Sequence, residues 1–396
     1  MRNSPHSHPM IALTAATLFT PQERIEQPLL LVDDGVIVEV DSRTRREVPK
    51  DCRVMDFSDG ILTPGFVDIH IHGGGGHDVM EPEPNALPSV ERLLAHHGVS
   101  SYFPTTVTAP IDQTLAALKR LADAIEDTET HQQSRDLRAR PVGIHLEGPF
   151  LSHVRRGVHP PENLLPPTLG TFDRLWQAAR GHVRVMTIAP ELPGALEVIT
   201  EAARRGVCVS IGHSDADLDA ARAAVAAGSR HATHTFNAMR PLGHRDPGIL
   251  GEVLTDSKLS ADIIADGIHL DPVVVQLFLQ AKGPDNAVLI TDAIAATGMP
   301  DGRYRLGSLE VSLKDGKCLS DGKLAGSVLT MDRAIRNVMH FAQWDLQRAL
   351  SLATLNPARV VGLAGAGRLK VGAQADIVVL SPTGEVKKTI IGGSDI

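Results

Sequence analysis

Eight short apolar, β-branched runs recur through the middle of the chain, and they limit its fold more than any other feature. They are Phe66–Ile71, Val99–Phe103, Val142–Leu146, Val183–Ile188, Val207–Ile211, Ala232–Phe236, Leu259–Ile264 and Ala287–Ile290. Helix-period segments separate most of them. The clearest are Ile111–Glu126, Gly194–Arg205 and Asp215–Ala227, rich in Ala, Leu, Glu and Arg with an Asp nearby to cap them. Eight strands alternating with helices over about 230 residues predict a (β/α)8 barrel. A doubly wound open sheet is the competing architecture. It needs fewer strands, and no G-x-G-x-x-G follows the first run.

The two ends of the chain read differently. Residues 29–40 form two short β-rich runs around Asp34-Gly35, a hairpin signal, and Val54 to Phe57 suggests another strand. Leu369 to Leu380 and Val386 to Ile391 are again short β-rich runs. We therefore expect residues 1–60 and 365–396 to fold together as one small β-sandwich domain. The barrel is then the inserted body, residues 61–364. A total of 396 residues accommodates both.

Composition narrows the function. The net charge of −8 argues against a surface that binds nucleic acid through bulk charge. Cys52, Cys208 and Cys318 form no C-x-x-C pair, so a reducing compartment is the natural setting. The opening nine residues lack the apolar core of a signal peptide, and no run reaches a membrane span. A cytoplasmic protein, with neither membrane nor nucleic acid as partner, is expected. Eighteen histidines outnumber the aromatics (nine Phe, two Tyr, two Trp), and imidazole is the commonest metal ligand.

Polar residues stand where the runs stop. His70 and His72 end the first, Glu147 the third and His213 the fifth. His234 lies in the sixth, Asp266 and His269 follow the seventh, and Asp292 ends the eighth. Barrel enzymes build their sites from the carboxyl ends of several strands. A charge on a buried strand needs a partner, and core packing alone does not make six strands contribute His, Glu or Asp at equivalent points. Glu147, His213 and His234 offer one carboxylate and two imidazoles, the donor set of many hydrolytic zinc sites. The same ligands accept Fe(II), Co(II) or Mn(II). His70 and His72, two apart on a strand, face one way and could hold a second metal. Asp292 is the natural general base for an activated water.

Other polar residues carry blander readings. His131, His153 and His182 sit among polar neighbours and read as solvent-facing, as do His96 and His97 on a helix. His77 and Asp78 follow Gly73–Gly76, where a structural part of the loop weighs as much as a functional one. Four glycines without a following Lys-Ser/Thr are not a phosphate loop; they let the chain run close to the site.

Whole motifs add a resemblance. Pro64-Gly65-Phe66-Val67-Asp68-Ile69-His70-Ile71-His72 looks like the opening of the amidohydrolase superfamily, and Gly367-Arg368-Leu369-Lys370-Val371-Gly372-Ala373-Gln374-Ala375-Asp376-Ile377-Val378 like its closing β segment. His145-Leu146-Glu147-Gly148-Pro149-Phe150, Gly212-His213-Ser214, His234-Thr235-Phe236-Asn237-Ala238-Met239, His244-Arg245-Asp246-Pro247-Gly248, Ala265-Asp266-Gly267-Ile268-His269, Thr291-Asp292-Ala293 and Leu324-Ala325-Gly326-Ser327 are more specific. In order and together they resemble the N-acetylglucosamine-6-phosphate deacetylase family over roughly residues 60 to 380.

That resemblance implies roles. Glu147, His213 and His234 would bind the metal, and Asp292 would be the catalytic acid/base. His159, after Arg155-Arg156-Gly157-Val158, would contact the acyl group, with Val158 beside it at the substrate. Asn237, Ala238, Ala325 and Gly326 would meet the sugar. Arg245 and His269 would read its phosphate, Arg245 reaching across from the neighbouring subunit of a homodimer. The implied reaction is hydrolysis of the N-acetyl group of an amino-sugar 6-phosphate. Because His70 and His72 are both present, the resemblance leaves one or two metals open. The Met239–His244 loop leaves the hexosamine open. Two rival functions are weighed against it. Amidohydrolases that bridge two metals with a carbamylated Lys need a Lys at a strand end, and none is there. A non-enzymatic sugar-phosphate binder needs neither the metal set nor Asp292.

Overall fold

A computed structural model of the protein describes residues 10–20, 23–130 and 137–393. His131 and the opening segment Met1–Pro9 lie outside these residues. Eight parallel strands form the central barrel: Phe66–Ile71, Val99–Thr106, Ile144–Glu147, Val183–Ile188, Cys208–Ile211, His231–Ala232, Ala261–Ile264 and Ala287–Ile290. They are almost entirely buried, which is why they read as apolar runs rather than as alternating ones. The first six pair in sequence order. The last two pair with each other.

Single hydrogen bonds close the ring. Between the sixth and seventh strands, the Ala232 N–H donates to Ser260 O at 3.0 Å and the Thr235 N–H to Asp262 O at 2.9 Å. Between the eighth and first, the Asp292 N–H donates to His70 O at 3.0 Å and the His72 N–H to Ala293 O at 2.8 Å. A helix follows each strand, from Ala86–His96 to Met331–Ala342. Ala195–Arg204 shows why they dock: Ala195, Val198, Ile199 and Ala202 fall on one face and are buried. Asp217 caps Leu218–Ala227 by accepting the Ala220 N–H at 2.8 Å, so that helix starts three residues later than the sequence suggests.

Both ends of the chain share one seven-stranded sheet. Its order runs Val386–Ile390, Ile377–Leu380, Arg53–Pro64, Ile11–Phe19, Pro28–Asp33, Val36–Ser42, with Arg24–Glu26 added on Ile11–Phe19. Leu13, Leu18, Leu30, Ile37, Leu62, Ile377 and Val379 fill its own core. At the hairpin tip Asp34 and Gly35 both have positive φ (46° and 75°), the signature of a tight primed turn. Arg53–Pro64 runs past residue 60 and leads directly into the barrel. There Arg140 pairs with Asp376 across the two bodies.

Three expectations need correcting. The sixth strand stops at Ala232 instead of Phe236, because His234, Phe236 and Ala238 turn left-handed (φ 30°, 78° and 51°). The run from Leu369 forms a strand only over Ile377–Leu380, since Lys370–Ala373 closes a turn through the Ala373 N–H and Lys370 O. His97 is half-buried and bonded to Asp332 at 3.1 Å, and His182 to Glu126 at 3.1 Å, so neither is free in solvent.

Candidate active site

Six strand-end side chains meet at the carboxyl end of the barrel: His70, His72, Glu147, His213, His234 and Asp292, all buried. They fall into two three-donor groups. In the first, Glu147 Oε1 lies 3.2 Å from His213 Nε2 and 3.1 Å from His234 Nε2, and the two imidazole nitrogens are 3.1 Å apart. In the second, His70 Nε2 and His72 Nε2 are 3.2 Å apart and lie 3.5 and 3.3 Å from Asp292 Oδ1. Glu147 joins the groups, because its Oε2 lies 3.2 Å from His72 Nε2. The sequence reading gave Asp292 the part of base alone. The geometry also makes it a donor beside His70 and His72.

These spacings fit a cation. Ligands bound at about 2.0–2.1 Å around a tetrahedral zinc stand roughly 3.3 Å from one another. The first group forms a triangle of that edge, with nitrogen and oxygen donors converging. Electrostatics agree. Burial pushes Glu147 up, but the His70 charge and hydrogen bonds to His159, His213 and His234 hold its carboxyl well below the usual range. Asp292, despite the same burial, is held at about 2 by its bond to His72 and the charge of His70. Burial lowers His234, but Glu147 wins and raises it to about 9. At His213 burial wins, and the ring falls to about 4.

The backbone is shaped to deliver these groups. His213, His234 and Asp292 have φ of 47°, 30° and 49°, a conformation costing non-glycine residues about 1–3 kcal/mol each. Strain gathered on three site residues marks a region built for function. Ser327 braces the last of them, its N–H bonding Asp292 O at 2.8 Å and its hydroxyl Thr291 O at 2.5 Å. This requires Gly326, at φ 62°, where a Cβ would meet Ile294 Cγ2 at 2.3 Å and Asp292 O at 3.0 Å. Gly326→Ala is expected to lose about 1–3 kcal/mol of stability, seen as a lower Tm, together with a higher KM. An unchanged melting curve would remove Gly326 from this account.

His159 is buried, with Nε2 3.5 Å from Glu147 Oε2. Its Nδ1 is engaged by Thr108, 2.8 Å from the hydroxyl and 3.3 Å from the N–H, so Nε2 is the nitrogen turned to the centre. Val158 packs beside Val107, Ile294 and Ala325. Asn237 and Ala238 lie on the left-handed turn, and Asn237 Nδ2 is buried without a partner among the described residues. His269 is bonded through Nδ1 to Asp266 at 2.7 Å. Arg245 is exposed, and its side chain makes no ion pair or hydrogen bond to the described residues of its own chain. Among the described residues no hydrogen bond joins Arg245 to His269.

Several features escaped the sequence. Asp68, His145, His231 and Asp262 are buried inside strands near the centre. A lone polar residue inside an apolar run is the signal that marks Asp68, His145 and Asp262 in the sequence. An antiparallel insert, Gly302–Leu306, Leu309–Lys314, Lys317–Ser320 and Lys323–Leu324, was also missed. It packs Leu306, Val311, Leu313 and Cys318 on Val107 and Ile294. Asp78 secures it by accepting the Gly307 N–H at 2.7 Å, which gives that loop residue a structural part.

Comparison with known proteins extends the picture. The model of the Amidohydrolase family matches residues 61–395. An N-acetylgalactosamine-6-phosphate deacetylase of Escherichia coli O157:H7 is 37% identical, covering 96% of this chain and 98% of its own. An N-acetylglucosamine-6-phosphate deacetylase of Homo sapiens is 39% identical over 84% of this chain and 82% of its own. Among solved structures, a mutant N-acetyl-D-glucosamine-6-phosphate deacetylase of Mycobacterium smegmatis in complex with N-acetyl-D-glucosamine-6-phosphate superposes with a TM-score of 0.89. It shares 34% identity and covers 98% of this chain and 99% of its own.

Proposed function

This chain belongs to the amidohydrolase family, and from that membership we propose that its centre hydrolyses the N-acetyl group of N-acetyl-D-glucosamine 6-phosphate. The products are D-glucosamine 6-phosphate and acetate, a step of amino-sugar catabolism and recycling. One observation carries the reading. Two three-donor groups, linked by the contact of Glu147 with His72, stand at the barrel mouth of a chain that aligns with such deacetylases along nearly all of its length.

Glu147, His213 and His234 would hold a divalent cation, zinc by donor type, and His70, His72 and Asp292 a second. Such a cation supplies Lewis acidity to a water and to the acyl oxygen. The chain's own groups do the rest. Asp292, kept ionised by His72 and His70, takes the water's proton and returns it to the leaving nitrogen. His159 Nε2–H donates to the acyl oxygen as negative charge develops there. Val158, Asn237, Ala238, Ala325 and Gly326 border the sugar. Asp266 accepts the Nδ1–H of His269, which leaves Nε2 unengaged; as an imidazolium the ring would donate Nε2–H to the phosphate. Arg245, unpaired at the surface, reaches the neighbouring site of a homodimer. Free Cys52, Cys208 and Cys318 fit a cytoplasmic setting. Among the described residues no helix is long and apolar enough to cross a membrane.

The Escherichia coli relative favours a second reading, in which the C4 epimer is the better substrate. Acetate release from both 6-phosphorylated N-acetylhexosamines, with metal measured on the same sample, decides between them. Loss of acetate release from both overturns the proposal. Arg245→Ala is expected to lower kcat/KM for the phosphorylated sugar roughly 30- to 1,000-fold, mainly through KM. Arg245→Lys should recover part of this, since an ammonium cannot make the bidentate contact. The unphosphorylated sugar should be a poor substrate and nearly indifferent to the change. Equal ratios of kcat/KM for the two sugars in wild type and variant would show that Arg245 does not read the phosphate.

A further inference from the structure

Asp262 and His231 form a buried pair that no step above uses. They stand on the seventh and sixth barrel strands, 1% and 0% exposed. His231 Nε2 lies 2.8 Å from Asp262 Oδ2. His231 Nδ1 lies 2.8 Å from Ser260 Oγ, whose hydroxyl donates to Arg230 O. The other oxygen of Asp262, Oδ1, accepts the main-chain N–H of His234. Apolar side chains of similar volume would fill this space without the cost of dehydrating a carboxylate. The pair therefore calls for a specific reason.

That reason lies in how the four strand-end imidazoles are steadied. A metal-binding imidazole is normally fixed by a partner on its second nitrogen. His213 has one in Arg155 O at 2.9 Å, and His72 in Thr105 O at 3.0 Å. His234 and His70 have none among the described residues, their Nδ1 atoms being buried and unbonded there. These same two residues donate their backbone N–H to a buried aspartate: His234 to Asp262, and His70 to Asp68 Oδ1 at 3.3 Å. Where the ring lacks a brace, the main chain has one. The brace matters most at His234, whose φ of 30° is the least comfortable of the three left-handed site residues.

We propose that Asp262 is a positioning residue of the metal centre. It locks the His234 main chain in the conformation that aims Nε2 at Glu147 and His213, and His231 holds its carboxylate in place. The inference rests on the reading that Glu147, His213 and His234 bind the cation.

The test uses cobalt(II), whose visible absorption reports ligand geometry, with affinity measured by chelator competition on the full chain. Asp262→Ala should weaken cobalt binding about 10- to 100-fold and alter the spectrum. Asp262→Asn keeps an oxygen for the His234 N–H and should stay within about threefold of wild type. His231→Gln leaves the carboxylate but removes its counter-group, and should cost about three- to tenfold. That variant carries the test if Asp262→Ala does not fold. Wild-type affinity and spectrum in both Asp262→Ala and His231→Gln would overturn the proposal. So would an Asn variant as impaired as a folded Ala variant. Failure of the wild type to bind cobalt would instead overturn the reading of the centre itself.

Discussion

Glu147→Gln is expected to leave a folded protein that retains no metal after dialysis and shows no measurable turnover. Five imidazoles converge on this carboxylate: His213, His234 and His70 on Oε1 at 3.2, 3.1 and 3.5 Å, His72 and His159 on Oε2 at 3.2 and 3.5 Å. Both oxygens are occupied, so both must be lone-pair donors. A glutamine of the same shape offers one oxygen and one NH2, and flipping the amide only changes which group of imidazoles meets the hydrogens. It also removes the negative charge that offsets a dication in a buried site. With three protein ligands to the first cation there is no redundancy, and we expect metal affinity to fall at least about 100-fold. Metal analysis and circular dichroism on one dialysed sample check this. Stoichiometric metal in the variant would remove Glu147 from the ligand set.

Asp292→Asn should separate chemistry from metal binding. Asparagine nearly matches aspartate in size and keeps an oxygen toward His70 and His72, but it cannot accept a proton. The Glu147–His213–His234 group is untouched, so its metal should remain. We expect kcat to fall at least about 100-fold, the usual scale for loss of a general base. His70→Ala is expected to be milder if the first group suffices, whereas two equivalents of metal with a dead His70 variant would favour a binuclear centre. Near-normal turnover of a metal-replete Asp292→Asn enzyme would take Asp292 out of the mechanism.

What could be read from the sequence follows the physics that wrote it. The eight barrel strands were legible because strands covered on both faces tolerate few polar residues, so their runs stand out. The donors were legible because His70, Glu147, His213 and Asp292 interrupt those runs at their ends. Two kinds of feature were not. The insert from Gly302 to Leu324 has one face in water, and strands such as Arg303-Tyr304-Arg305 alternate too briefly to be told from a loop. Asp68 and Asp262 also sit in apolar runs, but what ties them to the site is main-chain N–H groups, those of His70 and Thr291 for Asp68 and that of His234 for Asp262. Every residue carries such a group, so no motif spells it. The left-handed turn at His234 is equally silent, since non-glycine residues there are held by their surroundings and not by local preference.

The strand Arg53–Pro64 has a consequence for how the protein is made. It pairs with Ile11–Phe19 on one side and with Ile377–Leu380 on the other. A ribosome adding about 5–20 residues per second delivers Ile377–Leu380 on the order of 15–60 s after Arg53–Pro64. Through that interval the barrel can collapse, while one edge of the small sheet waits open with Leu62 and Thr63 unpaired. An open strand edge recruits any strand it meets, including the same edge of another nascent chain. The window of risk in biosynthesis therefore closes only when Ile377–Leu380 docks, and arrest upstream of it would leave a finished barrel on an adhesive base.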